Sequence, residues 1–316
     1  LEGRKILRDK NMEEKNTRYG LAVGLSLTAF AAFSTSDCLR KVLADHEYDV
    51  LDIVFWQAFC GLGVVLVLMP FLGGARGVSG GRDMKWYIIR GVFFAFNTVF
   101  SIYTVSRIPI TDAYGLFFLS PFMISLMGLV FLKESIGLYR FLAICGGFVG
   151  ALIAFRPGFE ALSWAHLCGL VCVFTYSAAS IVSGHIGKSD ALIAFGFWPF
   201  LFLIIGIPIV KGGDIALIGD TNFWIMTAFA GVCYALALVT IAHSFTLAPA
   251  AAFAPYQYGG ILYAVLFDFL IWHELPDGYK TLGIAVIIAS GVWLFAREAM
   301  IKRRQKRAAA LNLVVK

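Results

Sequence analysis

The chain has 316 residues, of which 59% are hydrophobic and only 15% are charged, and its formal net charge is +6. A soluble domain is about half apolar and about a quarter charged, so a soluble protein of this composition would lack the polar surface to cover its core. The composition therefore excludes a soluble globular protein and indicates an integral membrane protein.

The amino-terminal stretch is charged and precedes the first apolar segment. The chain begins with Leu1, whereas Met12 opens a sequence typical of a natural start, so we expect residues 1–11 to be vector-derived. We expect residues 1–18 to form a cytoplasmic tail. The first apolar segment should then remain in the membrane as an anchor.

Ten apolar segments follow, and each approaches the ~20 residues that a helix needs to cross the hydrocarbon core of a bilayer. They are residues 19–36, 51–71, 86–106, 112–132, 138–155, 163–184, 190–210, 222–246, 249–271 and 281–297. The links between them are short and carry glycines and charges, and none is long enough for a soluble domain. The sequence therefore predicts an all-α membrane protein with ten transmembrane helices.

Lysine and arginine are concentrated in the two tails, and an even number of spans puts both tails on one side of the membrane. The positive-inside rule then predicts that both termini are cytoplasmic, in a bacterial inner membrane. The tail at residues 298–316 carries a basic run at 302–307. Because this run lies beside the last span, we interpret it as an anchor on anionic lipid and not as a nucleic-acid site.

An offset of 140 residues aligns two stretches of the chain without a gap, so that Pro109 falls on Pro249 and Glu134 falls on Glu274. A Tyr-Arg/Lys-x-Leu pattern recurs at the start of the segment that follows each glutamate. Several coincidences at one offset indicate that the chain contains a duplicated unit.

The duplication divides the chain into a first five-helix repeat, residues 19–156, and a second five-helix repeat, residues 163–297. Because five is an odd number, the second repeat enters the membrane from the opposite side, and the two repeats are inverted. Transporters use inverted repeats because two antiparallel copies can exchange conformations around a central site.

The motifs of the two repeats are Ser120-Pro121, Leu132-Lys133-Glu134, residues 146–150 and Arg156-Pro157-Gly158 in the first, and residues 254–258, residues 273–277 and Ser290-Gly291 in the second. Over residues 19–298 the chain resembles the drug/metabolite transporter superfamily, and within it the ten-helix EamA-type exporters. The resemblance implies two five-helix bundles around a central cavity. It also implies export of amino acids or other small metabolites in bacteria, with the aromatic amino-acid exporters as the best-known branch.

Polar and aromatic side chains near the segment centres are candidates for the substrate site, because a polar group at mid-membrane is costly unless it is paired or faces a cavity. The candidates are Asn97, Ser101, Tyr176, Trp198, Tyr234, Tyr256, Gln257 and Tyr258. Aromatic faces with a few donors and acceptors suit an amphipathic metabolite. Hydrogen bonding between neighbouring helices is the alternative role for these polar groups.

The carboxylates fall near the ends of the predicted segments, and Asp37 is expected at the outer edge of the first helix. His243 and Asp268 are the candidates for proton coupling, with an interfacial cap as the alternative role for His243. Because no carboxylate is predicted at mid-membrane, facilitated exchange stays an alternative to proton antiport.

Motifs of other protein classes are missing from the sequence. The stretch that ends at Gly187-Lys188-Ser189 has Val182 where a phosphate-binding loop needs glycine, and no zinc-protease motif occurs. We therefore expect no enzyme, no cofactor and no metal site, and we keep an intramembrane enzyme as the alternative from another class. Two small-residue pairs, at residues 20 and 24 and at residues 146 and 150, allow close helix packing and leave a homodimer open.

The sequence thus predicts a secondary transporter that exports small amphipathic metabolites by alternating access around a central cavity. Amino acids, including aromatic ones, are the expected substrates. Vitamins, nucleosides and cationic drugs are the alternative substrates. The expected partners are the small-molecule substrate and the lipid bilayer.

Overall fold

The computed structural model describes residues 2–71, 74–79, 84–131, 138–155, 163–186, 192–247 and 259–314. Within these ranges the regular structure is helical and contains no β-strand. The helices are α1 (Glu2–Asp45), α2 (Val50–Leu68), α3 (Gly74–Ser79), α4 (Met84–Val105), α5 (Ile110–Phe117), α6 (Ser120–Phe131), α7 (Leu138–Phe155), α8 (Trp164–Ile186), α9 (Leu192–Val210), α10 (Thr221–Leu247), α11 (Gly259–Phe267) and α12 (Gly278–Val314). A 3-10 turn, Met69–Phe71, extends α2, and a π-helical turn, Asp268–Trp272, extends α11.

Each of the ten predicted segments overlaps a described helix, and the start of the segment 249–271 lies outside the described residues. Among the described residues, seven spans are long and apolar enough to cross a membrane, namely Gly20–Asp45, Val50–Phe71, Met84–Val105, Ile110–Phe131, Trp164–Ile186, Leu192–Val210 and Thr221–Ser244. Three shorter apolar helices, Phe141–Ala154, Leu262–Trp272 and Gly278–Trp293, correspond to the other segments. Apolar side chains such as Val67 and Ile209 are exposed on the outside of the bundle, where lipid would contact them. The prediction of a multi-helix membrane protein is confirmed.

The helix packing follows a twofold pattern. The contact of α1 with α10 is matched by the contact of α4 with α8, and the contact of α2 with α10 is matched by that of α4 with α9. The helices α2 and α9 pack on each other, as do α7 and α12. Exchanging the two halves of the chain converts the first two pairings into their counterparts and returns the α2–α9 and α7–α12 pairings to themselves. The division into two five-helix repeats stays a prediction.

Glycines bring α7 and α12 into close contact. A Cβ atom added at Gly283 would lie 2.5 Å from the backbone oxygen of Gly150, and one added at Gly146 would lie 2.5 Å from the hydroxyl of Ser290. The Gly146 and Gly150 pair therefore serves packing within one chain. Gly20 and Gly24 have open space in front of them, and the homodimer stays a prediction.

The first span is longer than predicted, because α1 continues through Asp45 and not only to residue 36. The expectation that Asp37 lies at the outer edge of the first helix is therefore wrong. Asp37, Arg40 and Lys41 are all buried inside the bundle. Hydropathy ends the segment at these charges, whereas the fold accommodates them because each has a polar partner.

Polar contacts join the two halves at the face of the bundle opposite both chain ends, which we call the distal face. Here Tyr48 donates to Asp220 at 2.5 Å and Lys280 pairs with Asp112 at 2.7 Å. The Nζ group of Lys211 contacts the carboxylate of Asp52 on α2 at 2.6 Å and that of Asp49, the amino-terminal cap of α2, at 3.1 Å. The hydrogen bond from the Tyr48 hydroxyl lowers the pKa of Asp220 and raises the pKa of Tyr48.

Candidate functional site

A cavity of about 630 Å³, counted out to its open mouth, lies among α1, α4, α5, α8 and α10. Most of its wall is aromatic, formed by Phe30, Phe33, Tyr114, Phe117, Phe118, Tyr176 and Tyr234. Its polar lining consists of Asp37, Arg40, Asn97, Ser101, Ser120 and Cys172. Apolar walls with a few placed polar groups are typical of small-molecule sites.

Helix α1 presents one continuous face to this cavity. Phe30, Phe33, Asp37 and Arg40 follow one another at spacings of three and four residues, which places them on the same side of a helix. The two phenylalanines lie toward the middle of the span, and the two charges lie toward the distal face. One helix therefore supplies both an aromatic wall and a charged end.

Asp37 and Arg40 form a buried ion pair one turn apart on α1. The other carboxylate oxygen of Asp37 accepts a hydrogen bond from the Tyr114 hydroxyl at 2.9 Å. The Nη1 group of Arg40 donates to the Ser101 hydroxyl at 3.2 Å, while its Nε has no partner among the described residues. The ion pair thus connects α1 to α4 and α5. The Nε group of Arg40 is a buried donor that a ligand could use.

Tyr234 of α10 completes the charged end of the cavity. Its ring lies 5.3 Å from the guanidinium carbon of Arg40, within range of a cation–π interaction. Its hydroxyl shares a hydrogen bond of 2.7 Å with the hydroxyl of Thr98 on α4. The ring of Phe33 packs edge-on against it at 5.4 Å. These contacts hold Tyr234 between the charged end and the aromatic wall.

Asn97 both lines the cavity and bridges two helices. Its Nδ2 donates to the backbone oxygen of Cys172 at 3.1 Å, and the Cys172 thiol donates to the backbone oxygen of Asn97 at 3.4 Å. This reciprocal pair links α4 to α8 at the cavity wall. Asn97 thus makes an interhelical hydrogen bond and also lines the cavity, and its role in substrate binding stays a prediction.

Tyr176 of α8 supplies an unsatisfied polar group. Its hydroxyl is buried and has no hydrogen-bond partner among the described residues, although the residue lines the cavity. A buried hydroxyl without a partner is costly unless a ligand or water satisfies it. Tyr176 is therefore available for a polar group that enters the cavity.

The structure brings four of the predicted site residues together around this cavity, namely Asn97, Ser101, Tyr176 and Tyr234. Trp198 is not among the lining residues, because its Nε1 donates to the backbone oxygen of Val78 at 3.2 Å and its ring stacks on Phe202. The predicted residues Tyr256, Gln257 and Tyr258 lie outside the described part of the chain.

The two coupling candidates lie away from the cavity lining. Asp268 is buried and accepts hydrogen bonds from the backbone nitrogens of Ile110 and Thr111, at 3.2 and 2.6 Å, so it satisfies the free amino end of α5. His243 is half-buried near the end of α10 and is not a lining residue of the cavity. Proton coupling through either residue stays a prediction.

Sequence reasoning missed Asp37 and Arg40, which are the charged residues of the cavity. Their i, i+3 spacing, in phase with Phe30 and Phe33, was the available signal. A helix that continues through such a pair needs partners for both charges, and these come from α4 and α5. Within the searched residues, no group of three or more His, Cys, Asp or Glu side chains is placed to hold a metal ion.

Residues 20–156 match the EamA-like transporter family. Over 305 residues the chain is 22% identical to the S-adenosylmethionine uptake transporter of Rickettsia bellii, covering 92% of this chain and 100% of that protein. It is 23% identical to the riboflavin transporter of Vibrio cholerae, over 78% of this chain and 83% of that protein. It is also 25% identical to the pseudopaline exporter of Pseudomonas aeruginosa, over 85% of this chain and 94% of that protein.

The fold is similar to that of a protein of known crystal structure. The two superpose with a TM-score of 0.65 at 16% sequence identity, over 87% of this chain and 98% of the other. At this identity the similarity concerns the fold alone.

Proposed function

Because residues 20–156 match the EamA-like transporter family, we propose that the chain is a secondary transporter of small metabolites that combine a zwitterionic group with an apolar ring. The family and the relatives named above are transporters and not enzymes. We propose amino acids, including aromatic ones, as the substrates and export as the direction. The protein would act in a bacterial inner membrane with both termini cytoplasmic.

The buried Asp37–Arg40 pair beside an aromatic wall is the observation that carries this proposal. A substrate carboxylate would take a place at the Arg40 guanidinium, whose planar donors suit a carboxylate. A substrate ammonium group would take a place at Asp37. Because the pair has no net charge, a zwitterion could exchange ion pairs with it without adding net charge to a low-dielectric site.

The aromatic wall would hold the rest of the substrate. Phe30, Phe33 and Phe118 offer ring faces, while the free Tyr176 hydroxyl offers a polar contact away from the ion pair. The lining therefore suits a ring-bearing amino acid.

The relatives support this chemistry in different ways. S-Adenosylmethionine, which one relative takes up, combines an amino-acid group with a ring system. The riboflavin transporter favours the alternative of a vitamin substrate, which has rings but no ammonium group. Because both uptake and export occur among the relatives, the proposed direction rests on the resemblance of the sequence to exporters.

Alternating access would require the two halves to move relative to each other. The distal-face contacts Tyr48–Asp220 and Lys280–Asp112 join one half to the other, so they would have to open when the cavity opens to that face. Substrate bound at the ion pair would lie close to these contacts. We propose that binding and opening are linked through the position of α1.

Counterflow in proteoliposomes tests the proposal. Vesicles that contain the purified protein are preloaded in turn with phenylalanine, S-adenosylmethionine or riboflavin, and uptake of the same labelled compound is measured. We expect counterflow of phenylalanine or S-adenosylmethionine, and its loss in Arg40→Gln and Asp37→Asn. Arg107→Gln, which removes an exposed arginine of the distal face, is the matched control and should transport normally.

The outcomes separate the alternatives. Counterflow of riboflavin alone, unchanged in Arg40→Gln, would replace the zwitterionic substrate with a vitamin. Counterflow of an amino acid that survives both ion-pair substitutions would contradict the proposed site. A folded protein that transports none of the three compounds would contradict the substrate class.

A further inference from the structure

A second arginine is buried in the bundle at a distance from the first. Arg90 of α4 is only 1% exposed. Its Nε donates to the Ser183 hydroxyl at 2.7 Å, and its Nη1 donates to the backbone oxygen of Phe195 at 2.9 Å. Among the described residues no carboxylate forms an ion pair with it. Arg90 is therefore a buried cation held by neutral acceptors.

The guanidinium of Arg90 also lies over two aromatic rings. Its central carbon is 4.3 Å from the ring centre of Phe94 and 4.5 Å from that of Phe195. Ring faces partly offset the loss of water around a buried cation, although they provide no counter-charge. The surroundings thus tolerate the positive charge and leave it uncompensated.

Two buried polar groups near this arginine have no partner. The Nη2 group of Arg90 makes no hydrogen bond among the described residues, and neither does the hydroxyl of Tyr176. The ring of Phe94, which contacts the guanidinium, also packs edge-on against the ring of Tyr176 at 6.0 Å. Phe94 therefore contacts both the residue with the unsatisfied guanidinium and the residue whose unsatisfied hydroxyl lines the central cavity.

The position of Arg90 along α4 places it away from the ion pair. Eleven residues separate it from Ser101, the partner of Arg40, which corresponds to about 16 Å along a helix. Tyr176 belongs to the wall of the cavity that holds Arg40. Tyr176 thus shares a cavity with Arg40, which is paired with Asp37, and it contacts Phe94, which packs against the unpaired Arg90.

We propose that Arg90 and Tyr176 form a second anion-binding subsite, which receives the carboxylate of the substrate after it leaves Arg40. This inference rests on the proposed function, because it takes the substrate to carry a carboxylate. The Nη2 group and the Tyr176 hydroxyl donate to the two carboxylate oxygens once the Phe94 ring turns aside. An internal carboxylate at Arg90 would occupy these donors, and none of the residues that the structure describes supplies one.

Arg90 connects the proposed subsite to the contact between the two halves of the chain. Arg90 also holds α8 through Ser183 and α9 through Phe195, both of which belong to the second half of the chain. Binding an anion at Nη2 would therefore act on the contact between the halves at the side of the bundle nearer the chain ends. Substrate arrival at Arg90 would be coupled to the closing or opening of that side.

Binding of benzoate to the purified full-length protein in detergent tests the subsite without any transport assay. Benzoate carries a ring and a carboxylate, and benzamide is its uncharged match. We measure affinity from the rise of the melting temperature with probe concentration. We expect benzoate but not benzamide to stabilise the wild type, with affinity about tenfold weaker in Tyr176→Phe, the loss of one hydrogen bond to a charged group.

Arg90→Gln should weaken benzoate binding further than Tyr176→Phe, while Arg107→Gln should bind as the wild type does. Tyr176→Phe is expected to fold normally, because the hydroxyl that it removes has no partner. If Arg90→Gln fails to fold, Tyr176→Phe decides alone. A wild type that binds no benzoate would overturn the subsite, and so would variants at both positions that bind it with unchanged affinity.

Comparison with the counterflow measurements separates the two proposals. Loss of benzoate binding in Arg90→Gln and Tyr176→Phe, without counterflow of any amino acid, would support the subsite and reject the proposed substrate. Amino-acid counterflow that persists at the wild-type rate in folded Arg90→Gln would support the substrate and overturn the subsite. Benzoate affinity that depends on Arg40 and not on Arg90 would also overturn it.

Discussion

Arg40 and Arg90 are both buried in the same helical bundle, but their surroundings differ in charge. Arg40 pairs with Asp37 on its own helix and has a second contact at Ser101. Arg90 has a hydroxyl, a carbonyl and two ring faces, and no carboxylate among the residues that the structure describes. One arginine is neutralised by the protein and the other is not.

The same side chain thus has two different electrostatic roles in one membrane bundle. A charge that is paired within one helix has a fixed position. Each member of the pair can bind the opposite charge of a zwitterionic substrate. A charge that is held only by neutral acceptors attracts any anion that reaches it. The two arginines are thus suited to successive contacts with one carboxylate.

Removal of Arg40 is expected to have the largest effect on stability. Arg40→Gln would leave Asp37 buried without its cation, which typically destabilises a protein by about 3–5 kcal/mol. The measurement is the free energy of unfolding of the purified protein in detergent micelles. The double variant Asp37→Asn with Arg40→Gln is the control, and it should recover much of the loss because no unpaired charge remains. A double variant as unstable as Arg40→Gln would contradict this reading of the pair.

Removal of Arg90 is expected to have a smaller effect, although Arg90 is as deeply buried as Arg40. Arg90→Met would leave two acceptors without a donor, at a cost of about 1–3 kcal/mol, but it would also remove an uncompensated buried charge. We expect a net loss of roughly 1 kcal/mol in the same measurement. A loss larger than that of Arg40→Gln would show that Arg90 is primarily a structural residue.

The serine partners of the two arginines sharpen the comparison further. Ser183→Ala removes one of the two hydrogen bonds of Arg90, so we expect it to cost about 1 kcal/mol. Ser101→Ala leaves Arg40 with its carboxylate, so we expect it to cost about 0.5 kcal/mol. Both serines are buried, which makes the two substitutions matched controls for each other. Equal losses would indicate that Asp37 does not compensate Arg40 as argued.

The smallest effect is expected on the distal face, where Tyr48→Phe removes the hydrogen bond to Asp220. The pKa of Asp220 is lowered in the folded protein, so its contribution to stability is present above the ordinary value of 3.8 and is lost as the pH falls through the lower folded pKa. The pKa of Tyr48 is raised, so its contribution is present below its ordinary value of 10.0 and is lost above it.

The melting temperature of Tyr48→Phe should therefore lie slightly below that of the wild type, by a constant difference between about pH 5 and about pH 9. The difference in melting temperature should shrink below pH 3.8, because Asp220 accepts a proton in the unfolded protein before it does so in the folded protein. A difference that varies across the neutral range would mean that another group titrates at this contact.

Several residues of the cavity wall could be predicted because their signal is local. Asn97, Ser101, Tyr176 and Tyr234 are polar side chains near the centres of apolar segments, and all four line the cavity. Trp198 met the same criterion, yet it packs toward α3, because the criterion gives depth in the membrane and not the direction that a side chain faces.

The amino-acid sequence is enough to predict a multi-helix membrane protein, because the length and hydropathy of a segment are local properties that decide whether it can span a bilayer. The position of Asp37 and Arg40 in the cavity wall, and not in a link, follows only from the packed helices. The energy of a buried charge depends on partners such as Tyr114 and Ser101, which are distant in the chain. Those partners exist only after the helices have packed.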